Sequence, residues 1–451
     1  MKALVPKSRL ILMTADTVGG VWTYALELAQ ALEQHGIQIA LATMGRPLNR
    51  SQRKQAARAS NVEVFESAYK LEWMPEPWDD VAEAGEWLLA LEARLRPDLI
   101  HLNGYAHAAL SWRAPKLVVG HSCVLSWWQA VHGSPPPACW NRYRLAVLAG
   151  LKAADLVVAP SAAMLLMLEE HYGNVAKGIV IPNGRSLPFI TPRPKENLIL
   201  SAGRLWDAAK NISTLASVAA ALSWPVYVAG ETRYPAGAAT RYENIHALGL
   251  LNGEQLLPWF ARAAIYALPA RYEPFGLSVL EAALAGCALV LGDIPSLREI
   301  WGDAAIYVPT EEPEALADTL RELIAGPAWR GYLSAKARAT AARYSPELMA
   351  AAYLLAYNQL LRQASRRQGP PKLNTVPHPG RRREPVANGQ KMVLSSLCPS
   401  RPSGPDLLSP AKLRNETRLR PMTRLPVSLR CANKQRNESQ ATAHLARVTH
   451  D

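Results

Sequence analysis

Little in this chain of 451 residues points to a metal or a disulfide. The five cysteines, Cys123, Cys139, Cys287, Cys398 and Cys431, form no CxxC pair and lie at no zinc-like spacing from histidines. A zinc site is therefore not expected, and a reducing compartment is the default. No Asp-x-Asp occurs, so the usual short carboxylate clamp for a divalent cation is missing. No apolar run reaches the length of about 18 residues that a spanning helix needs. The opening MKALVPKSRLILMTADT has too short an apolar run for a secretory leader.

Charge is abundant but unevenly placed. The formal net charge is +13, yet from Ser365 onward 17 Lys and Arg face 5 Asp and Glu, a balance of +12 that leaves +1 for residues 1–364. The basic character thus belongs to the C-terminal stretch and says little about the rest. That stretch also lacks Phe, Trp and Tyr and holds 11 prolines in 87 residues. Residues 365–451 are accordingly expected to be a disordered basic tail, short of the apolar surface that would offset the entropy of ordering. It has no aromatic-interleaved repeats, so no specific nucleic-acid binding is expected. Peripheral contact with an anionic membrane surface and a merely solvated extension are the two readings of it.

The preceding residues alternate apolar runs with longer helical patterns. LILM, IQIALAT, DLIHLN, KLVVGHS and DLVVAPS have the rhythm of βαβ units in a parallel sheet, and a second set follows from NLILSAGRL through PVYVAG, AAIYALPA and CALVLGD. The fold expected is α/β, with two Rossmann-like domains, 1–182 and 183–344, and a cleft between them. IPNG at Ile181–Gly184 begins a Pro-rich linker, and 345–364 reads as a closing helix, with Ser345 as its N-cap and Pro346 next. Each early run ends in a polar residue (Thr14, Asn103, His121, Ser161), at the sheet edge where ligands bind.

Arg271–Gly286, RYEPFGLSVLEAALAG, carries the chemistry. With a helix starting near Leu277 or Ser278, the backbone amides of Phe275, Gly276, Leu277 and Ser278 are unpaired donors at the positive end of its dipole, which makes a phosphate seat. Glu273 and Glu281 flank that seat, roughly 10 Å apart. The separation overlaps that of an inverting glycosidase pair, but the seat between them favours holders of two ends of one ligand. Carboxylates suit vicinal diols, and a diphosphate with a hydroxylated ring at each end is a nucleotide sugar.

The stretch resembles the E-x7-E motif of the family 4 (group 1) retaining glycosyltransferases, which have the GT-B fold, and the resemblance extends over most of residues 9–363. It implies that Glu273 contacts the transferred sugar, positioning it and stabilising charge, and that Glu281 contacts the ribose hydroxyls. In SAGRLWDAAKNISTL, Arg204 and Lys210 match the family's Gly-Arg-Leu then Lys pattern and would neutralise the leaving diphosphate. Gly19 and Gly20 in TADTVGGVWTYALELAQAL open a helix after the first strand; the resemblance gives them close backbone approach to diphosphate and acceptor. Their loop lacks the lysine of starch and glycogen synthases, which speaks against an α-glucan synthase. His121 matches a histidine beside the donor sugar and is a catalytic candidate. Trp127 and Trp128 could stack on an acceptor ring or simply pack, and the roles of His101 and Asn103 stay open.

The resemblance thus implies a retaining hexosyltransferase acting on a nucleotide diphosphate sugar and an unidentified acceptor, cytoplasmic or peripheral at the inner membrane face, with no metal and no cofactor beyond the donor. Two alternatives remain: a nucleotide-sugar epimerase on the same fold, and an anionic-polymer binder acting through the tail.

Overall fold

The computed structural model describes residues 9–368 apart from 176, 189–193 and 234–239; the tail beyond Gln368 lies outside them. Seven parallel strands form the first sheet: β1 (Arg9–Asp16), β2 (Ile37–Met44), β3 (Val62–Glu66), β4 (Leu99–Leu102), β5 (Lys116–Val119), β6 (Leu156–Ala159) and β7 (Gly178–Val180). Their spatial order is β3-β2-β1-β4-β5-β6-β7. The second sheet, also parallel, has β8 (Glu196–Ala202), β9 (Val226–Ala229), β10 (His246–Gly249), β11 (Ala263–Leu268), β12 (Ala288–Gly292) and β13 (Ile306–Val308), ordered β10-β9-β8-β11-β12-β13. Helices cover both faces, so the central strands are buried throughout; β4, β6, β11 and β12 are buried at every position.

Each sheet reverses its strand order at one place, between β1 and β4 and between β8 and β11. Loops leaving the carboxyl ends of those strands diverge to opposite faces and open a crevice. Both sheets belong to one compact unit, and side chains tie their carboxyl edges together. The Ser161 hydroxyl donates to the Pro274 carbonyl at 2.7 Å. Glu299 accepts the Ala162 and Ala163 amides at 2.7 and 2.8 Å, capping the Ala162–Tyr172 helix of the first domain with a carboxylate of the second.

The last helix, Pro346–Gln368, returns to the first sheet. Met349, Ala350, Tyr353, Ala356, Tyr357 and Leu360 form one helical face, buried in the same core as the Gly20–Glu33 helix and β1. The helix runs past the expected end at 364, so the first residues assigned to the tail are helical. Its start lies beside the linker: the Arg185 amide donates to the Tyr344 carbonyl at 3.0 Å, and a Cβ on Gly184 would fall 2.3 Å from the Ser345 carbonyl oxygen. Only glycine fits where these two crossings touch.

Because Tyr353 is fully buried between the last helix and the first sheet, Tyr353→Ala is expected to cost about 3–5 kcal/mol, as other buried aromatic truncations do. Urea unfolding measures the loss, with the midpoint falling while the slope is kept.

Candidate active site

Two loops meet face to face across the crevice. After β1, Gly19 is the extended N-cap of the Gly20–Glu33 helix. After β11, Gly276 is the N-cap of the Leu277–Leu284 helix and takes φ 87°, a left-handed conformation that glycine adopts freely. A Cβ on Gly20 would lie 3.3 Å from Leu277 Cδ1. Two helix N-termini, each with unpaired amides and a positive dipole end, therefore converge on one place. With Gly276 as cap, the first amides of that helix are those of Gly276, Leu277, Ser278 and Val279. Phe275 stands just before it, its ring buried edge-on against Tyr344 at 5.6 Å. The Ser278 hydroxyl accepts from Tyr266 at 2.8 Å, which anchors the first turn to β11.

The charged residues are already paired. Lys210 Nζ meets Glu273 Oε2 at 2.5 Å, both side chains mostly buried, and the lysine stem packs on Gly203. The Glu273 carbonyl accepts the Ser296 hydroxyl at 2.6 Å, which fixes the turn. Arg204 donates to Asp207 at 2.7 Å. Burial pushes the Asp207 carboxyl up, but the charges of Arg204 and Lys210 and a hydrogen bond from Trp127 outweigh it and leave it below its ordinary value. Glu281 is held by the Arg185 Nε at 2.7 Å, and the same guanidinium pairs with Glu27 of the Gly20–Glu33 helix. One arginine in the interdomain crossing thus joins a carboxylate of each domain.

From the first domain, His121 places Nε2 2.8 Å from Asn103 Oδ1 and meets the edge of the Tyr24 ring at 4.4 Å. His101, fully buried, lies 2.7 Å from the Tyr357 hydroxyl and 3.3 Å from Asn103 Oδ1. Burial pushes both histidines down to about 3, so both rings are neutral at physiological pH. The Trp127 indole N–H donates to Asp207 at 3.0 Å, across the crevice, and the Trp128 ring packs 4.1 Å from His132. Beside them, the Cys123 amide donates to the Tyr272 hydroxyl at 2.9 Å.

The structure therefore brings Gly19, Gly20, Glu273 and Lys210 to one crevice with the helix start at Gly276–Ser278, while Glu281 is joined to the first domain through Arg185. Two residues escaped the sequence reading. Arg185 sits in a stretch that reads only as linker. Asp16 ends β1, accepts the Val18 amide at 2.6 Å, and is raised by burial to about 6 despite that bond and the nearby charges of Arg204 and Arg46. Its one visible signal is a carboxylate at a strand end, three residues before the glycine pair.

The model described as Glycosyltransferase Family 4 matches residues 18–187, and that described as Glycosyl transferases group 1 matches 196–326. The O-antigen chain mannosyltransferase B of Escherichia coli is 31% identical over 27% of this chain, which spans about a third (32%) of that protein's length. The glycogen synthase of Mycobacterium tuberculosis is 28% identical over 64% of this chain and 75% of its own. Among solved structures, the sucrose-phosphate synthase of Thermosynechococcus elongatus superposes with a TM-score of 0.67 at 20% identity, over 79% of this chain and 100% of that one. Anabaena HepE, solved with UDP-glucose, gives 0.60 at 17% identity over 79% and 99%. These likenesses carry the fold, GT-B.

Asp16 supplies a test of its own. Its carboxyl is raised from 3.8 to about 6 by burial, so the native state binds the extra proton and loses stability as pH rises through that window. Asp16→Asn is expected to match the wild type near pH 4 and to melt at a higher temperature at about pH 7.5; thermal melts at the two pH values check this.

Proposed function

Since the chain belongs to the group 1 glycosyltransferases of the GT-B fold, we propose that it moves a sugar from a nucleotide diphosphate sugar to a hydroxylated acceptor, with retention of configuration. The observation that carries this reading is the convergence of two helix N-termini, Lys210 and Glu273 in the crevice between two parallel sheets. Such a place suits a diphosphate, because amides, dipoles and an ammonium all oppose its charge. Arg204, now on Asp207 at the crevice edge, adds a guanidinium that can turn to phosphate oxygens. That charge grows as the nucleotide leaves, so the same groups lower the barrier as well as bind.

The remaining roles follow from position. Glu273, at the loop before the seat, holds the transferred sugar and stabilises positive charge at its anomeric carbon. Glu281, one turn along the helix, takes the ribose hydroxyls with the oxygen that Arg185 leaves available. His121 lies beside the sugar on the first-domain wall. Asp16, also on that wall, is placed for an acceptor hydroxyl. UDP-glucose in HepE makes UDP-sugars the first donors to try.

A thermal-shift screen with UDP, GDP and ADP tests the reading, since a ligand of the native state raises its melting temperature. One nucleotide should give a clear rise; none doing so would argue against it. With the donor in hand, Glu273→Gln is expected to lower kcat roughly 100-fold with little change in donor affinity. Glu281→Gln should weaken donor binding about tenfold, because a charge-assisted hydrogen bond of ~1.5–3 kcal/mol is reduced. Steady-state kinetics separates the two effects.

A further inference from the structure

Asn103 lies between two histidines, and its amide can face only one way. Its Nδ2 donates to the Thr14 carbonyl at 2.7 Å, and its backbone N–H donates to the Thr14 hydroxyl at 2.9 Å. A carbonyl oxygen cannot face another, so Oδ1 points away from Thr14. There it lies 2.8 Å from His121 Nε2 and 3.3 Å from His101 Nε2. An amide oxygen only accepts. His121 Nε2, the nearer of the two, must then direct an N–H toward it, and that ring, desolvated by burial, carries a single proton; His101 Nε2 lies equally 3.3 Å from the Tyr24 hydroxyl. On His101 the other nitrogen, Nδ1, lies 2.7 Å from the Tyr357 hydroxyl, which burial keeps protonated. On His121 no described residue bonds Nδ1, and the residue is half-buried.

We propose that Asn103 is the positioning residue of His121, locking its ring as the neutral Nε2–H tautomer so that Nδ1 accepts a hydrogen bond from a hydroxyl of the bound sugar. The role given to Nδ1 rests on the donor-site reading above. The consequence is chemical: His121 is not the general acid of this site. As a bare acceptor it selects a sugar with a hydroxyl at the matching position, since an unpaired nitrogen facing an analogue that lacks it goes unsatisfied. The groups that face His121 are Tyr24, Asn103 and, through Asn103, His101, and none of them is charged at neutral pH. The Tyr357 contact brings the last helix to His101, on the other side of Asn103.

Nitrogen-15 spectra of the full-length protein, labelled at histidine, read the tautomer directly, with His121 assigned by the signal lost in His121→Gln. At about pH 6 and with no donor or acceptor added, the wild type should show a neutral His121 with the proton on Nε2. Asn103→Asp puts a carboxylate between the rings, and His121 should then appear doubly protonated at the same pH, both nitrogens having become donors. A wild-type His121 protonated on Nδ1, or already imidazolium, overturns the proposal; so does an Asn103→Asp protein in which the His121 pattern is unchanged. If that variant does not fold, the wild-type spectrum alone decides. Because the measurement needs no substrate, it stands or falls separately from sugar transfer: a correct tautomer in a protein that binds no nucleotide would indict the donor reading, not the role of Asn103.

Discussion

The contact between Lys210 Nζ and Glu273 Oε2 is the interaction around which the crevice is arranged. Two opposite charges, each mostly shielded from water, persist only where each supplies the other's partner. The loop after β8 brings the lysine and the loop after β11 the carboxylate, so the pairing demands that these neighbouring strands end at the same level. Parallel pairing meets that demand: it sends every such loop to one edge of the sheet. Arg204 with Asp207, and Arg185 with Glu27 and Glu281, repeat the pattern. The crevice is thus a set of cations provisionally neutralised by carboxylates. A diphosphate entering it would replace those carboxylates as the partner of Lys210 and Arg204, and would free Glu273 for the sugar.

The same economy couples the domains. Glu299 caps a helix of the first domain, Trp127 donates to Asp207 of the second, and Arg185 stands between a carboxylate of each. The Trp127 and Arg185 contacts are not exposed surface pairs of the kind that contribute little; the exposed Glu299 acts instead through two backbone amides at a helix start. The last helix adds an apolar tie, since it leaves the second domain and buries Tyr353 and Tyr357 in the core of the first. Any rocking of one domain on the other must flex at the Gly184 and Ser345 crossings, which lie side by side, and must break or keep the Arg185 bridge.

Much of this was legible in the chain itself, for a physical reason. Strands buried on both faces read as unbroken apolar runs, so LILM, DLVVA and AAIYAL announced a parallel α/β fold, and the glycine at 276 announced the start of a helix there. What the chain could not show were pairings between distant residues. Nothing local tells that Lys210 meets Glu273, that Arg185 in a linker reaches Glu281, or that the face formed by Met349, Tyr353, Ala356 and Leu360 belongs to the first sheet. Trp127 and Trp128 permitted both stacking and packing, and nothing local tells that the Trp127 indole N–H reaches Asp207. Asp16 was overlooked, and the role of Asn103 stayed open, for a different reason: burial and the way a side chain faces have no period.

The central claim is that Arg204 and Lys210, with the helix starting at Leu277, form a seat for a diphosphate, whatever base and sugar lie on either side of it. Calorimetric titration with inorganic pyrophosphate removes the base and the sugar from the question. The account predicts that the wild type binds pyrophosphate and that replacing Arg204 and Lys210 together by alanine weakens binding by at least about tenfold, the loss of a charge-assisted bond; equal affinity in the two proteins would contradict it.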